Sequence, residues 1–255
     1  MKMPVVFVGH GSPMNALDLN PFTESLKELG NKLPKPQAIL SISAHWETRG
    51  TQVLYHETPP TIHDFYGFPK ALFDMQYPAR GPLALAKETQ ALVPHSELTV
   101  KWGLDHGTWS VLVHMFPEAD IPVYQLSLDV TKTAQEHLEI GRQLRSLREK
   151  GVLILGSGNI VHNLRVINWR ELNAAYPWAQ EFDLAIKKAL EEKDETLLTQ
   201  YEKKLGEVAS MSVPTPEHYL PLLYCYGATV PEDRISYPFE GYQMGSLSMR
   251  SVLWS

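Results

Sequence analysis

Short apolar runs alternate along the chain with stretches whose apolar residues recur at helical spacing. Pro4–Val8 (PVVFV), Ala38–Ser43 (AILSIS), Ile121–Leu128 (IPVYQLSL) and Val152–Leu155 (VLIL) are apolar at nearly every position. Runs of this length predict strands buried on both faces. Between them, Phe22, Leu26, Leu29 and Leu33 fall on one helical stripe. Ile140, Leu144 and Leu147 do the same and stop at Gly151, a residue suited to the left-handed turn that ends a helix. Trp178, Phe182, Ala185, Ile186 and Ala189 predict a helix over 178–193. A further helix is expected over 195–205 and a last strand over Ser246–Trp254. This alternation predicts an α/β fold: a single domain over 1–255, with a central, mostly parallel or mixed sheet flanked by helices. No internal repeat or low-complexity linker interrupts it. The segment 56–82 is loop-rich, with Pro59, Pro60, Gly67, Pro69, Pro78, Gly81 and Pro82 among His63, Phe65, Tyr66, Phe68, Phe73 and Tyr77. Long ordered loops often cover sites.

Three predicted strands run into histidines. PVVFV leads to Gly9-His10-Gly11-Ser12, AILSIS to Ala44-His45-Trp46-Glu47, and VLIL to Gly156-Ser157-Gly158-Asn159 with His162 just beyond. Ligands of open α/β sheets bind outside the carboxyl ends of the strands, so these imidazoles are expected to converge there. His218 follows Pro214-Thr215-Pro216-Glu217. Thr215 suits the N-cap and Pro216 the first turn of a helix. His218 would then sit at the positive end of the helix dipole, which favours neutral imidazole. His106 lies where a loop enters a helix. His56, His95, His114 and His137 read as ordinary hydrogen-bonded residues, and His63 stays undecided.

Composition narrows the chemistry. The 255 residues include ten His and one Cys. Cys225 alone forbids a disulfide framework and any thiolate-rich zinc or iron–sulfur site, and reads as a small buried hydrophobe. A bound metal must therefore be held by His and carboxylates. The net charge of −6 argues against nucleic-acid binding through a broad basic face. Arg142, Arg145, Arg148 and Lys150, beside Glu139 and Glu149, read as a solvated helix face. No apolar stretch approaches the roughly 20 residues that span a bilayer. Met1–Val8 is too short for a signal peptide and reads as a first buried strand, so the cytoplasm is the expected location. Gly156-Ser157-Gly158-Asn159 matches neither phosphate-binding fingerprint, and no GxSxG nucleophile elbow is present. Glu47 suits a ligand role and a surface role equally.

The motifs GHGSPM (9–14), SAHW (43–46), PPTIHDFYGFP (59–69), DHGTW (105–109), SGNIVHNL (157–164), VPTPEHYLPLLY (213–224) and MGSLSM (244–249) cover nearly the whole chain in order. Together they resemble the 4,5-DOPA extradiol dioxygenase family, within the LigB-type class III extradiol ring-cleavage superfamily, and its bacterial members in particular. The resemblance implies that His10, His45 and His218 hold one divalent metal ion. His162 would face the same centre as a fourth ligand or as the acid/base. His106 would line the pocket and orient or protonate the oxygen species. His63 and the other aromatic residues of 63–77, with Trp46, would pack the substrate ring. The implied partners are O2 and a small catechol such as DOPA, with neither nucleic acid nor membrane. The metal would be Fe2+ for ring cleavage, or Zn2+ as isolated, since ring-cleaving relatives commonly use two His and one carboxylate on iron while three neutral imidazoles also suit Zn2+. A zinc-dependent hydrolase and a non-catalytic metal-binding interaction protein are the alternatives. The oligomeric state is left open.

Overall fold

The apolar runs become the interior of one sheet in the computed structural model, which describes residues 2–255; Met1 lies outside the described residues. The chain runs β1 (Val5–Gly9), α1 (Pro21–Lys32), β2 (Ala38–Thr48), β3 (Gln52–Leu54), α2 (Lys70–Phe73), α3 (Leu83–Leu92), β4 (Glu97–Thr99), α4 (His106–Met115), β5 (Val123–Asp129), α5 (Ala134–Leu144) and β6 (Val152–Gly158). It continues through α6 (Pro177–Glu192), α7 (Glu195–Thr199), α8 (Tyr201–Ser212), α9 (Leu220–Gly227), β7 (Ile235–Phe239), β8 (Tyr242–Gln243), β9 (Leu247–Ser248) and β10 (Ser251–Trp254).

The main sheet has eight strands in the order β4-β3-β5-β2-β6-β1-β10-β7. Its middle, β5-β2-β6-β1, is parallel, and antiparallel pairs join β3 and β10 to it. Val5, Val6, Phe7 and Val8 are wholly buried, and each such side chain contributes about 1.5–3 kcal/mol relative to exposure. Because the middle strands run the same way, their carboxyl ends share one edge of the sheet.

Helices cover both faces. Successive residues of a strand point to opposite sides, and β6 shows the result: Gly156 faces Pro221 and Cys225 of α9, whereas the Ser157 hydroxyl donates to the Gly107 carbonyl of α4 at 2.5 Å. Residue choice sets the helix ends. Asn20 caps α1 in a reciprocal capping box with Thr23, and Thr133 does the same for α5 with Glu136. Gly151 closes the turn after α5 with φ 77°.

The structure departs from the sequence expectation in several places. β2 continues past Ser43 to Thr48, with its register against β5 shifted between Ile42 and Glu47. The expected helix over 195–205 is two helices that meet at Gln200 and extend to Ser212. The last strand is split into β9 and β10, because Arg250 turns inward to a buried pair with Asp183. The basic run is not one solvated face. Arg148 is fully buried, donating to the carbonyls of Met3 and Ala228 and to Asp233. Met3, just before β1, and the 228–233 segment enclose that position, and helical spacing alone does not reveal it.

Candidate metal centre

Five histidines gather over the carboxyl edge of the parallel strands. His10 is the first residue after β1, and its N–H donates to Gly158 O at 3.0 Å. His45 lies within β2, at the interruption of its register with β5. His106 opens α4, whose N-cap Asp105 accepts the Thr108 N–H at 3.2 Å. His162, four residues beyond β6, donates its N–H to Ser212 O at 2.9 Å and bridges to Leu247. His218 sits in the turn that precedes α9, where its carbonyl accepts the Asn159 N–H at 2.8 Å.

That last placement corrects the sequence expectation. Thr215 does not cap a helix; its hydroxyl donates to Glu217 at 2.9 Å, and α9 starts only at Leu220. The helix dipole is therefore not what keeps His218 neutral.

The rings of His10, His45 and His218 form a nearly equilateral triangle. Their centroids are 5.0 Å (His10–His45), 5.3 Å (His10–His218) and 5.0 Å (His45–His218) apart. Metal–nitrogen bonds of ~2.1 Å would set tetrahedral imidazole ligands about that far apart. His10 Nε2 and His45 Nε2 approach to 3.1 Å, as two nitrogens directed at one centre do. His106 lies 3.9 Å from His45 between centroids, and His162 stacks on His218 at 3.4 Å. Donor atoms of His10, His45 and His106 lie within 4.8 Å of one another, as do those of His162, Glu217 and His218.

Hydrogen bonds assign the ring tautomers of two of the three. Ser157 gives its own proton to Gly107 O and so accepts from His10 Nδ1, at 3.0 Å. Glu217 Oε1 accepts from His218 Nδ1 at 3.0 Å. Each bond puts the proton on Nδ1 and leaves the Nε2 lone pair for a metal, as outer partners of ligating histidines do. His45 Nδ1 lies 3.6 Å from Asp64 Oδ2, an electrostatic approach rather than a hydrogen bond. Neutral imidazoles that present Nε2, with carboxylate or hydroxyl support behind them, fit a divalent ion.

Electrostatics keeps the cluster neutral. Burial first, and the neighbouring imidazoles second, hold His10 and His218 well below the ordinary imidazole pKa. Burial and then His106 do the same for His45, against the pull of Asp64. His162 is lowered to about 4 by burial and by His106. Beneath the cluster the Asp105 carboxyl is fully buried and raised, by burial first and then by Asp64. It accepts from Ser43 at 2.6 Å and from Gln125 at 2.7 Å, which ties β2, β5 and α4 together under the histidines.

Two expected pocket residues lie outside the cluster. His63 Nε2 contacts Met75 O at 2.9 Å, and its ring packs 5.5 Å from Trp109 and 5.8 Å from Phe65. Trp46 is buried and stacks on Trp102 at 5.8 Å with planes 5° apart. Phe65 comes closer to the centre, 5.6 Å from His106. Asp64 and Ser157, which touch the cluster histidines, carry no sequence signal beyond lying in the motifs. His56, His114 and His137 have local partners in Thr58, Asn15 and Tyr224.

Fold and site together define an α/β protein with a histidine centre fitted to a metal ion. Residues 5–237 match the family model described as the catalytic LigB subunit of aromatic ring-opening dioxygenase, and the chain belongs to that family. It is 50% identical over 257 residues to the 4,5-DOPA dioxygenase extradiol of Escherichia coli K12, covering 98% of this chain and 94% of the relative. The protein of the same name from Beta vulgaris is 39% identical over 87% of this chain and 85% of its own. The crystal structure of an uncharacterized protein from Escherichia coli K12 superposes with a TM-score of 0.87 at 45% identity, covering 100% of both chains.

Proposed function

We propose that the chain opens the ring of a catechol such as DOPA with O2, beside the diol, at one divalent ion held by His10, His45 and His218. The triangle of rings, 5.0–5.3 Å on a side, carries this reading. The chain's relatives in Escherichia coli and Beta vulgaris, both 4,5-DOPA dioxygenase extradiol, support the reaction class. Fe2+ would supply the electron path between catechol and O2, which Zn2+, having no redox chemistry, does not.

The chain's own groups handle protons and position. Burial and His106 hold His162 below the ordinary imidazole pKa, so it is neutral, and its task is to accept the proton of a catechol hydroxyl that a bound metal ion would make acidic. It stacks on His218, and its donor atom lies within 4.8 Å of those of His218 and Glu217; we assign it the acid/base task rather than a fourth ligand position. His106 lies on the His45 side of the cluster and orients the oxygen species. Phe65 supplies an aromatic wall for the substrate ring. His63 and Trp46 support that pocket from behind, His63 through Phe65 and Trp46 through Trp102, whose indole N–H donates to Asp105 at 3.3 Å. Among the described residues no helix is long and apolar enough to cross a membrane.

The test is anaerobic loading with Fe2+, addition of DOPA, then air. A yellow ring-opened product is expected with Fe2+ and none with Zn2+. No ring-opened product from DOPA or other catechols with any divalent ion tried would refute the proposal.

A further inference from the structure

The loop over 56–82 sends one charged side chain down to the histidines. Asp64 Oδ1 accepts the backbone N–H of His106 at 2.9 Å and lies 3.0 Å from His106 Nδ1. The ring nitrogen is angled off that oxygen, so the second contact is electrostatic. Asp64 Oδ2 lies 3.6 Å from His45 Nδ1. One carboxylate thus reaches the Nδ1 sides of two adjacent rings.

The backbone that delivers it is anchored. Thr61 bridges to Leu104, and the Ile62 N–H donates to Leu104 O at 2.7 Å. The Trp109 indole N–H donates to Ile62 O at 2.8 Å, and His63 is tied to Met75 O at 2.9 Å. Both 104 and 109 flank His106 in sequence, so the loop is fastened on either side of the histidine it serves. Phe65 and Phe68 pack against the core beyond Asp64, while Tyr66 between them is 91% exposed.

We propose that Asp64 is a positioning residue that fixes the orientation of His106 and holds its proton on Nδ1, so that Nε2 faces the reacting centre. A carboxylate beside an imidazole N–H selects the tautomer and ring orientation. Phe65, the next residue, stands 5.6 Å from His106, so the same anchored segment sets both the aromatic wall and the histidine. The role of His106 in turnover rests on the function proposed above; its ring orientation and tautomer do not.

A purely structural role would also use Asp64, as an acceptor for the first N–H of α4. Asp64→Asn separates the two, since its side-chain oxygen still accepts that N–H but carries no charge. The measurement is 15N–1H correlation of the imidazole nitrogens in Zn2+-loaded protein labelled at histidine. Wild type is expected to show His106 protonated at Nδ1. Both Asp64→Asn and Asp64→Ala are expected to shift it toward the other tautomer, with the Asn variant keeping wild-type thermal stability and His106 amide protection. With Fe2+ and DOPA, both variants are expected to lose about 10–100-fold in kcat with a smaller change in KM, and Asp64→Glu to recover part of the loss. Unchanged His106 ring-nitrogen shifts in the folded variants would overturn the proposal. Altered shifts in variants of a wild type that opens no catechol would refute the proposed function and leave the positioning role standing.

Discussion

Gly158→Ala tests how closely strand β6 must approach His218. A Cβ built at residue 158 would lie 2.1 Å from His218 O, whereas ordinary contact begins at 3.4 Å. The carbonyl of His218 would have to retreat by roughly 1.3 Å, because the opposing atom is backbone and cannot swing aside. That movement strains the adjacent Asn159 N–H to His218 O bond, now 2.8 Å. It also carries the His218 ring away from His10 and His45, whose centroids are 5.3 and 5.0 Å distant. Overpacking of this kind costs about 1–3 kcal/mol in stability, and a misplacement of ~1 Å at a reacting centre costs roughly 100-fold in rate. Urea unfolding, Zn2+ affinity by chelator competition and kcat with Fe2+ measure the three effects. The expected result is a folded protein with weakened metal binding and a kcat down by about two orders of magnitude. A folded variant with metal affinity and kcat within threefold of wild type would show that the position of His218 is not set by this contact.

Other consequences are measurable. Glu217→Ala removes the acceptor from His218 Nδ1 and is expected to weaken Zn2+ binding by about 10–100-fold; equal affinity would deny Glu217 its orienting part. His137 is buried, and burial lowers its pKa to about 4, so the unfolded chain binds more protons between about pH 6.5 and 4. Stability therefore falls as pH drops through that window, by about 3 kcal/mol from this group. His137→Gln should flatten the pH dependence of unfolding there, and an unaltered slope would contradict the assignment. Burial works against the Asp233 charge, but hydrogen bonds from Arg148 and Lys2 hold its pKa at about 2. Asp233→Ala leaves Arg148 buried without its counter-charge and should cost about 3–5 kcal/mol in urea unfolding; a loss below 1 kcal/mol would argue against it.

The strands and the approach of the histidines were legible because both depend on local pattern. Buried parallel strands are apolar throughout, and a site over their ends draws on residues that follow them, as His10 and His162 do. The ordered motifs pointed to the family that residues 5–237 match. What the pattern hid was set by tertiary contact. The extension of β2 that places His45 inside a strand follows a shift in register, which has no local signature. Arg148 looked solvated because its helical neighbours are charged, yet the segment carrying Asp233 covers it. Thr215 and Pro216 carried a helix-start signal, but Thr215 spends its hydroxyl on Glu217 and delays the helix to Leu220. Asp64 was silent for the same reason, since its partners His45 and His106 are distant in sequence and meet it only when the loop is seated.

The most direct test of the central claim is single-turnover stoichiometry. Wild type and His10→Ala, His45→Ala and His218→Ala variants, each loaded anaerobically with Fe2+, would be mixed with limiting DOPA and then with O2. Wild type is expected to consume one O2 for each DOPA converted to ring-opened product, and each folded variant to lose the reaction together with tight metal binding. Ring opening that persists at the wild-type rate in any of the three would contradict a centre built on His10, His45 and His218.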